Sequence, residues 1–153
     1  MRAIALSLLL CTSLAPLAAQ DPAPVTGPFD AGRDSFKDLA AAKAEAKQTG
    51  KRILMDVGGN WCPWCRRLHA FWDAQPAVKS LRDQNYVFVL VNYSKENKNT
   101  EFLAQFPKFP GFPHLFVLDA DGKVIQSQET GVLEQDKGYS PEKITEFLKK
   151  WKG

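Results

Sequence analysis

Residues 58–69 read GGNWCPWCRRLH, and the two cysteines at 62 and 65 constrain the chain more than any other feature. A C-x-x-C pair serves as a structural disulfide, half of a zinc site, a haem attachment point or a working redox couple, and each use makes different demands on the surrounding sequence. Haem attachment needs a histidine directly after the second cysteine; Arg66 stands there, so that use is excluded. A closed zinc site needs four ligands, and the chain offers only Cys62, Cys65, His69 and His114 beyond its carboxylates, without a second cysteine pair. A purely structural bridge across two residues closes a very small loop and removes little entropy from the unfolded chain. The redox use fits best. RILMDV (52–57) reads as a buried strand bounded by glycines, and CPWCRRLHAFWDAQ carries apolar residues at 64, 68, 71 and 72 with Pro63 in its first turn. That places Cys62 at a helix N-terminus, where free N–H groups and the helix dipole favour a thiolate, the nucleophile of disulfide exchange. Cys65, one turn further in, is positioned to resolve the mixed disulfide. Arg66 and Arg67 add positive charge, and His69 reads as a residue of the helix surface.

The first nineteen residues have a short basic start at Arg2, an apolar stretch and small residues before Gln20, the layout of a secretory signal peptide cut after Ala19. The apolar run is too short to span a bilayer. Cys11 leaves with the signal, so an exported chain keeps two cysteines, and an oxidising compartment would pair them. The whole chain carries a formal net charge of +3, of which Arg2 supplies one. Near-balance of this kind argues against nucleic acid or an acidic membrane as partner. Residues 20–33 are a proline-rich lead-in, and 34–153 form one domain, a length suited to a single core.

Along that domain, Ser35 with Asp38 reads as the N-cap pair of an alanine-rich helix stopped by Gly50. Pro76 breaks the cysteine helix, and PAVKSLRDQ resumes it. YVFVLVNY (86–93), apolar on both faces, reads as a central strand. TEFLAQF (100–106) is a short helix, HLFVLD a strand, DADG a tight turn and KVIQSQ the hairpin partner. SPEKITEFLKKW closes the chain as an amphipathic helix capped by Ser140. This order implies an α/β fold with a mixed central sheet and helices on both faces. The intervening FPKFPGFP (106–113) excludes regular helix or central strand. Phe106 reads as a core plug, while Phe109, Phe112 and Trp61 read as an apolar rim able to receive an unfolded chain.

Taken together, strand-WCPWC-helix, Phe112-Pro113 before HLFVLD, the DADGKVI hairpin and the last helix resemble the thioredoxin-like family, over about residues 34–151. The resemblance implies a thioredoxin-like fold and a thiol–disulfide oxidoreductase acting on protein disulfides outside the cytoplasm, periplasmic or extracellular, with reduction the favoured direction. It implies that Cys62 and Cys65 are the couple, that Asp56 is the buried acid six residues before Cys62, and that Pro113 is a cis-proline facing the sulfurs. Trp61, Trp64, Phe112 and Pro113 would contact substrate, with the backbone of Phe112 open to an extended chain. Neither cofactor nor metal is implied; the partners are protein substrates and a redox protein that recycles the dithiol, without stable membrane insertion once the signal is cleaved. The chain departs from the family in three places: no lysine on the 86–93 strand to pair with Asp56, Pro63-Trp64 between the cysteines, and a long GVLEQDKGYSP segment. GGN at 58–60 reads as opening the site. Two rival uses remain from the residues alone, a binding module with an idle disulfide and a metal-handling dithiol.

Overall fold

The computed structural model describes residues 27–153; the signal peptide, its cleavage point and the first part of the lead-in lie outside the described residues. Helix α1 spans Ser35–Thr49 and stops at Gly50, whose φ of 72° is the left-handed conformation that glycine tolerates. Its N-cap is Asp34, not Ser35: the Asp34 carboxylate accepts from the Phe36 and Lys37 N–H groups, and Asp38 instead pairs with Arg33 at 2.7 Å. Strand β1 (Arg52–Gly58) leads to α2 (Pro63–Ala74), α3 (Pro76–Asn85) and β2 (Tyr86–Asn92). Proline occupies the first turn of both α2 and α3, where its missing N–H leaves no donor unsatisfied.

After β2 the TEFLAQF segment keeps only one helical turn, α4 (Thr100–Leu103). Strands β3 (His114–Leu118) and β4 (Val124–Glu129) form the expected hairpin across an Asp119 turn. GVLEQDKGYSP, unassigned in the sequence reading, folds into a 3-10 turn and a small hairpin of β5 (Glu134–Gln135) and β6 (Gly138–Tyr139). Helix α5 (Pro141–Trp151) closes the chain with Ser140 as its N-cap.

The sheet order is β2-β1-β3-β4, with β2 parallel to β1 and the other pairs antiparallel. Strand β1 is therefore central and β2 lies at the edge, which corrects the central placement of 86–93. Its apolar character on both faces has another cause: α1 covers one face and α3 the other. Alternation then builds two cores. Ile53, Met55 and Val57 join Val87, Val89, Val91, Phe116 and the alanine face of α1. Leu54, Leu115 and Val117 join α2, α3 and α5 through Leu68, Trp72, Val78, Ile144 and Leu148. Phe106 plugs the edge of the first core, as its sequence position suggests.

Tyr86 ties the edge strand to α5 by donating its hydroxyl to the Leu148 carbonyl at 2.7 Å. That carbonyl also accepts from Lys152 N–H, so losing the tyrosine hydroxyl leaves it partnered. Tyr86→Phe should therefore lower stability by only about 0.5–1.5 kcal/mol. Leu148→Ala, which empties a fully buried site, should cost about 2–5 kcal/mol. Urea unfolding of the two variants checks the ordering.

Candidate functional site

The site lies where β1 ends and α2 begins. Cys62 is the N-cap of α2, and its sulfur accepts the Cys65 backbone N–H at 3.2 Å. Both cysteines are free thiols; Cys62 is 4% exposed and Cys65 is wholly enclosed. The Cys62 thiol donates toward the Phe112 carbonyl at 3.6 Å, which brings the Phe112-Pro113 segment against the first cysteine. The Phe112-Pro113 bond is cis, the isomer implied by the family resemblance, and Pro113 is buried with its carbonyl held by the Thr130 hydroxyl at 2.8 Å.

Around Cys62, Trp61 is the exposed aromatic side chain, and Tyr93, Phe109 and Phe112 are each half-buried. Trp61 is half exposed, and its indole N–H donates to the Tyr93 carbonyl. Phe112 lies edge-on to Trp61 with ring centres 5.8 Å apart and against Tyr93 at 4.5 Å. Phe109 turns inward to stack on His114 and pack on Phe116. The rim is thus Trp61 with Phe112 and Tyr93, and Phe109, half-buried like Phe112 and edge-on to it at 5.5 Å, backs the rim from the core side. Trp64 is only partly exposed: it lies edge-on to Tyr139 of β6 and carries the Arg67 guanidinium 4.5 Å above its ring. A cavity of about 160 Å³ adjoins the Phe112-Pro113 segment, bounded by Glu129, Thr130 and Glu134.

Asp56 is fully buried, and neither carboxylate oxygen has a hydrogen-bond donor among the described residues. Burial raises its pKa, an effect partly offset by His69 and then by Arg82. Burial likewise pushes the Cys65 thiol far above its usual range, with Cys62 and Asp56 adding to the rise. His69 corrects the sequence reading. It is not a surface residue: Nε2 is buried 3.3 Å from Asp56 Oδ2, without the alignment of a hydrogen bond, and the side chain keeps only 16% exposure. Its spacing of four from Cys65 on α2 was the available signal, since such residues share a helix face.

Sequence reasoning also missed Phe29. The lead-in is docked at its end: Phe29 is 5% exposed and packs on Cys62 and Cys65. Asn60 clamps it by accepting Phe29 N–H at 3.1 Å and donating to its carbonyl at 2.7 Å. The glycines of GGN therefore do not open the site. A methyl group on Gly58 would stand 2.7 Å from the Cys65 sulfur and 2.8 Å from Phe29, so the missing side chain is what lets both approach. The four soft ligands considered for zinc are not gathered: His69 faces Asp56, and His114 Nε2 contacts the Ser127 hydroxyl at 2.8 Å. Burial lowers the His114 pKa to about 4. Among the described residues no three His, Cys, Asp or Glu side chains are placed to hold a metal, and no helix is long and apolar enough to cross a membrane.

Comparison with known proteins gives a consistent picture. The disulfide bond reductase DsbH of Chlamydia pneumoniae is 30% identical over 109 residues, covering 65% of each chain. The thiol:disulfide interchange protein DsbE of Pseudomonas aeruginosa is 36% identical over 63 residues, 41% of this chain and 32% of that one. The chain thus spans less than two thirds of the length of these curated relatives. A disulphide isomerase from Xylella fastidiosa Temecula1 superposes with a TM-score of 0.71 at 27% identity, over 83% of this chain and 98% of its own. The family model described as thioredoxin-like matches residues 34–120, more than half of the chain, and the protein belongs to the thioredoxin-like family.

Proposed function

We propose that the protein is a thiol–disulfide oxidoreductase that exchanges its Cys62–Cys65 couple with disulfides of protein substrates outside the cytoplasm. The observation that carries this reading is the asymmetry of the couple: Cys62 caps α2 beside the Phe112 carbonyl, while Cys65 is enclosed one turn behind it. The Cys62 thiolate attacks one sulfur of a substrate disulfide; the other substrate sulfur leaves as a thiolate and takes a proton from water, and a Cys62–substrate mixed disulfide forms. Cys65 loses its proton to Asp56 and attacks the Cys62 sulfur. The Cys62–Cys65 disulfide closes, the second substrate thiolate leaves and takes a proton from water, and a separate redox partner later restores the dithiol.

Trp61, Trp64, Phe112 and Pro113 form the substrate side of this reading. Trp61 supplies exposed aromatic surface with the half-buried Phe112 edge-on beside it, Trp64 walls the couple from β6, and Phe112-Pro113 offers backbone to an extended chain. Residues 1–19 act as a cleaved signal that delivers the domain to the periplasm or beyond, and the name of one curated relative, a disulfide bond reductase, supports the reducing direction. The direction is tested by the reduction potential of the couple: a value near about −270 mV supports reduction, and one near about −120 mV reverses it.

Cys65→Ser should accumulate covalent adducts with substrate proteins because the resolving thiol is gone, whereas Cys62→Ser should accumulate none. Non-reducing gels after incubation with reduced-and-reoxidised insulin or an extracytoplasmic extract check this, and adducts on Cys62→Ser alone would reverse the roles.

Asp56 also links function to stability. Burial raises its pKa, so between the ordinary and the raised value the folded state holds a proton that the unfolded chain has released. Stability must fall as pH rises through that window and remain lower above it. Asp56→Asn should be more stable than the parent by about 1–3 kcal/mol at neutral and alkaline pH. The gap should close as pH falls toward about 4, the ordinary range of a free aspartate. Urea unfolding across pH measures both the sign and the window.

A further inference from the structure

A carboxylate enclosed as completely as Asp56 that keeps the Cys65 proton beside the sulfur it came from gives it back readily, so resolution requires that proton to move on. We propose that His69 is the relay through which it leaves. This rests on the reading of Asp56 as the base for Cys65. Among the described residues His69 is the only side chain that makes an ion-pair approach to Asp56, with Nε2 3.3 Å from Oδ2. Nε2 is buried and without a hydrogen-bond partner, while the side chain retains 16% of its surface, so the imidazole spans the distance between the core and the outside. The ring is held in that orientation by Phe29, edge-on at 5.1 Å, and by Phe88 at 6.4 Å. Phe29 is itself fixed by the two Asn60 hydrogen bonds.

The other titratable and charged groups around Asp56 do not offer this path. Cys65 on α2 is the proton source and is wholly enclosed. Arg82 on α3 is engaged elsewhere: it lies over the Trp72 and Phe88 rings and pairs with Asp83 at 2.7 Å. Tyr139 on β6 has a buried hydroxyl whose pKa burial raises, so it does not release a proton in the working range. Only an imidazole both accepts and gives up a proton near neutral pH.

The transfers balance as follows. The Cys65 S–H proton passes to the Asp56 carboxylate, and the Asp56 carboxylic acid gives it on to the lone pair of Nε2 on neutral His69. The Cys65 thiolate so freed attacks the Cys62 sulfur. The imidazolium loses a proton from its other nitrogen to water, which restores both groups, and no electrons move in the relay. His69 acts through Asp56 and does not touch the sulfurs.

The test separates formation of the mixed disulfide from its resolution, in the full chain. Reduced protein is mixed with a fluorescent peptide whose cysteine is disulfide-linked to thionitrobenzoate. Release of the yellow thiolate reports attack by Cys62, and the later fall in anisotropy reports release of the peptide by Cys65. His69→Gln should leave the first phase within about twofold and slow the second by about 10–100-fold at neutral pH, the lower range of what positioned proton transfer contributes. His69→Ala should be slowed likewise and should recover when imidazole is added. Asp56→Asn should be at least as slow, and combining it with His69→Gln should add less than about twofold, because the two act in one path. If Asp56→Asn slows release while His69→Gln does not, the relay is overturned and the Asp56 reading stands. If neither slows release, both fall. If His69 variants lose both phases equally and imidazole restores nothing, His69 only packs, and the relay is again overturned.

Discussion

Period-two alternation along β1 sends Ile53, Met55 and Val57 into one core and turns Leu54, Asp56 and Gly58 toward α2. That single strand, hydrogen-bonded to β2 on one side and β3 on the other, fixes both hydrophobic layers and the floor of the site. The three residues on its α2 face have distinct consequences. Leu54 anchors the second core. Asp56 sets a carboxylate under the cysteine helix. Gly58, lacking a side chain, lets the Cys65 sulfur settle onto the strand end, so that Cys62 reaches the N-cap position and meets Phe112 from the neighbouring loop.

A buried carboxylate without a hydrogen-bond donor is an expensive feature in a core, and the surroundings soften it without abolishing it. His69 approaches Asp56 out of line, and Arg82 contributes charge from a distance while its own guanidinium is engaged by Asp83 and two aromatic rings. A lysine on β2, the usual solution in the resembled family, is absent; β2 presents Tyr86, Phe88 and Leu90 on this face, with Leu90 directly opposite Asp56, and the compensating charge comes from Arg82 on α3. The cost is therefore located under Cys65, where an electrostatically unsettled group can serve as a base, rather than spread through the fold.

Local grammar made much of this legible in the sequence. Pro63 and Pro141 in first turns, Gly50 as a stop and Ser140 as a cap are signals that neighbours in the chain carry by themselves, and each is found where it was expected. Features that depend on distant contacts were not readable. The edge position of β2 follows from pairing order, and helices covering both its faces give it the composition of an interior strand. The cap of α1 shifted by one residue because Arg33 draws Asp38 away from the helix start. Phe29 looked like part of a tether because its partners, Asn60 and the two cysteines, lie more than thirty residues on. His69 could have been found from its spacing to Cys65, but only the fold reveals that Asp56 lies opposite.

Phe29 changes how the site is approached. Cys62 and Cys65 have β1 beneath them and Phe29 packed beside them, with Trp64 and Tyr139 along the β6 wall. The exposed aromatic surface next to Cys62 is Trp61, with the half-buried Phe112 edge-on to it and the cavity between Phe112-Pro113 and Glu134 beyond. With Cys62 itself only 4% exposed, a bulky folded disulfide has little room to approach, whereas an extended segment can lie along the Phe112 backbone and bring one sulfur to the helix end. Under the proposed function, such a site would select by chain conformation more than by side-chain identity. The Asn60 clamp contributes by holding Phe29 in place, because a displaced Phe29 would uncover Cys65 and His69 together and admit water to the buried side of the cysteine pair.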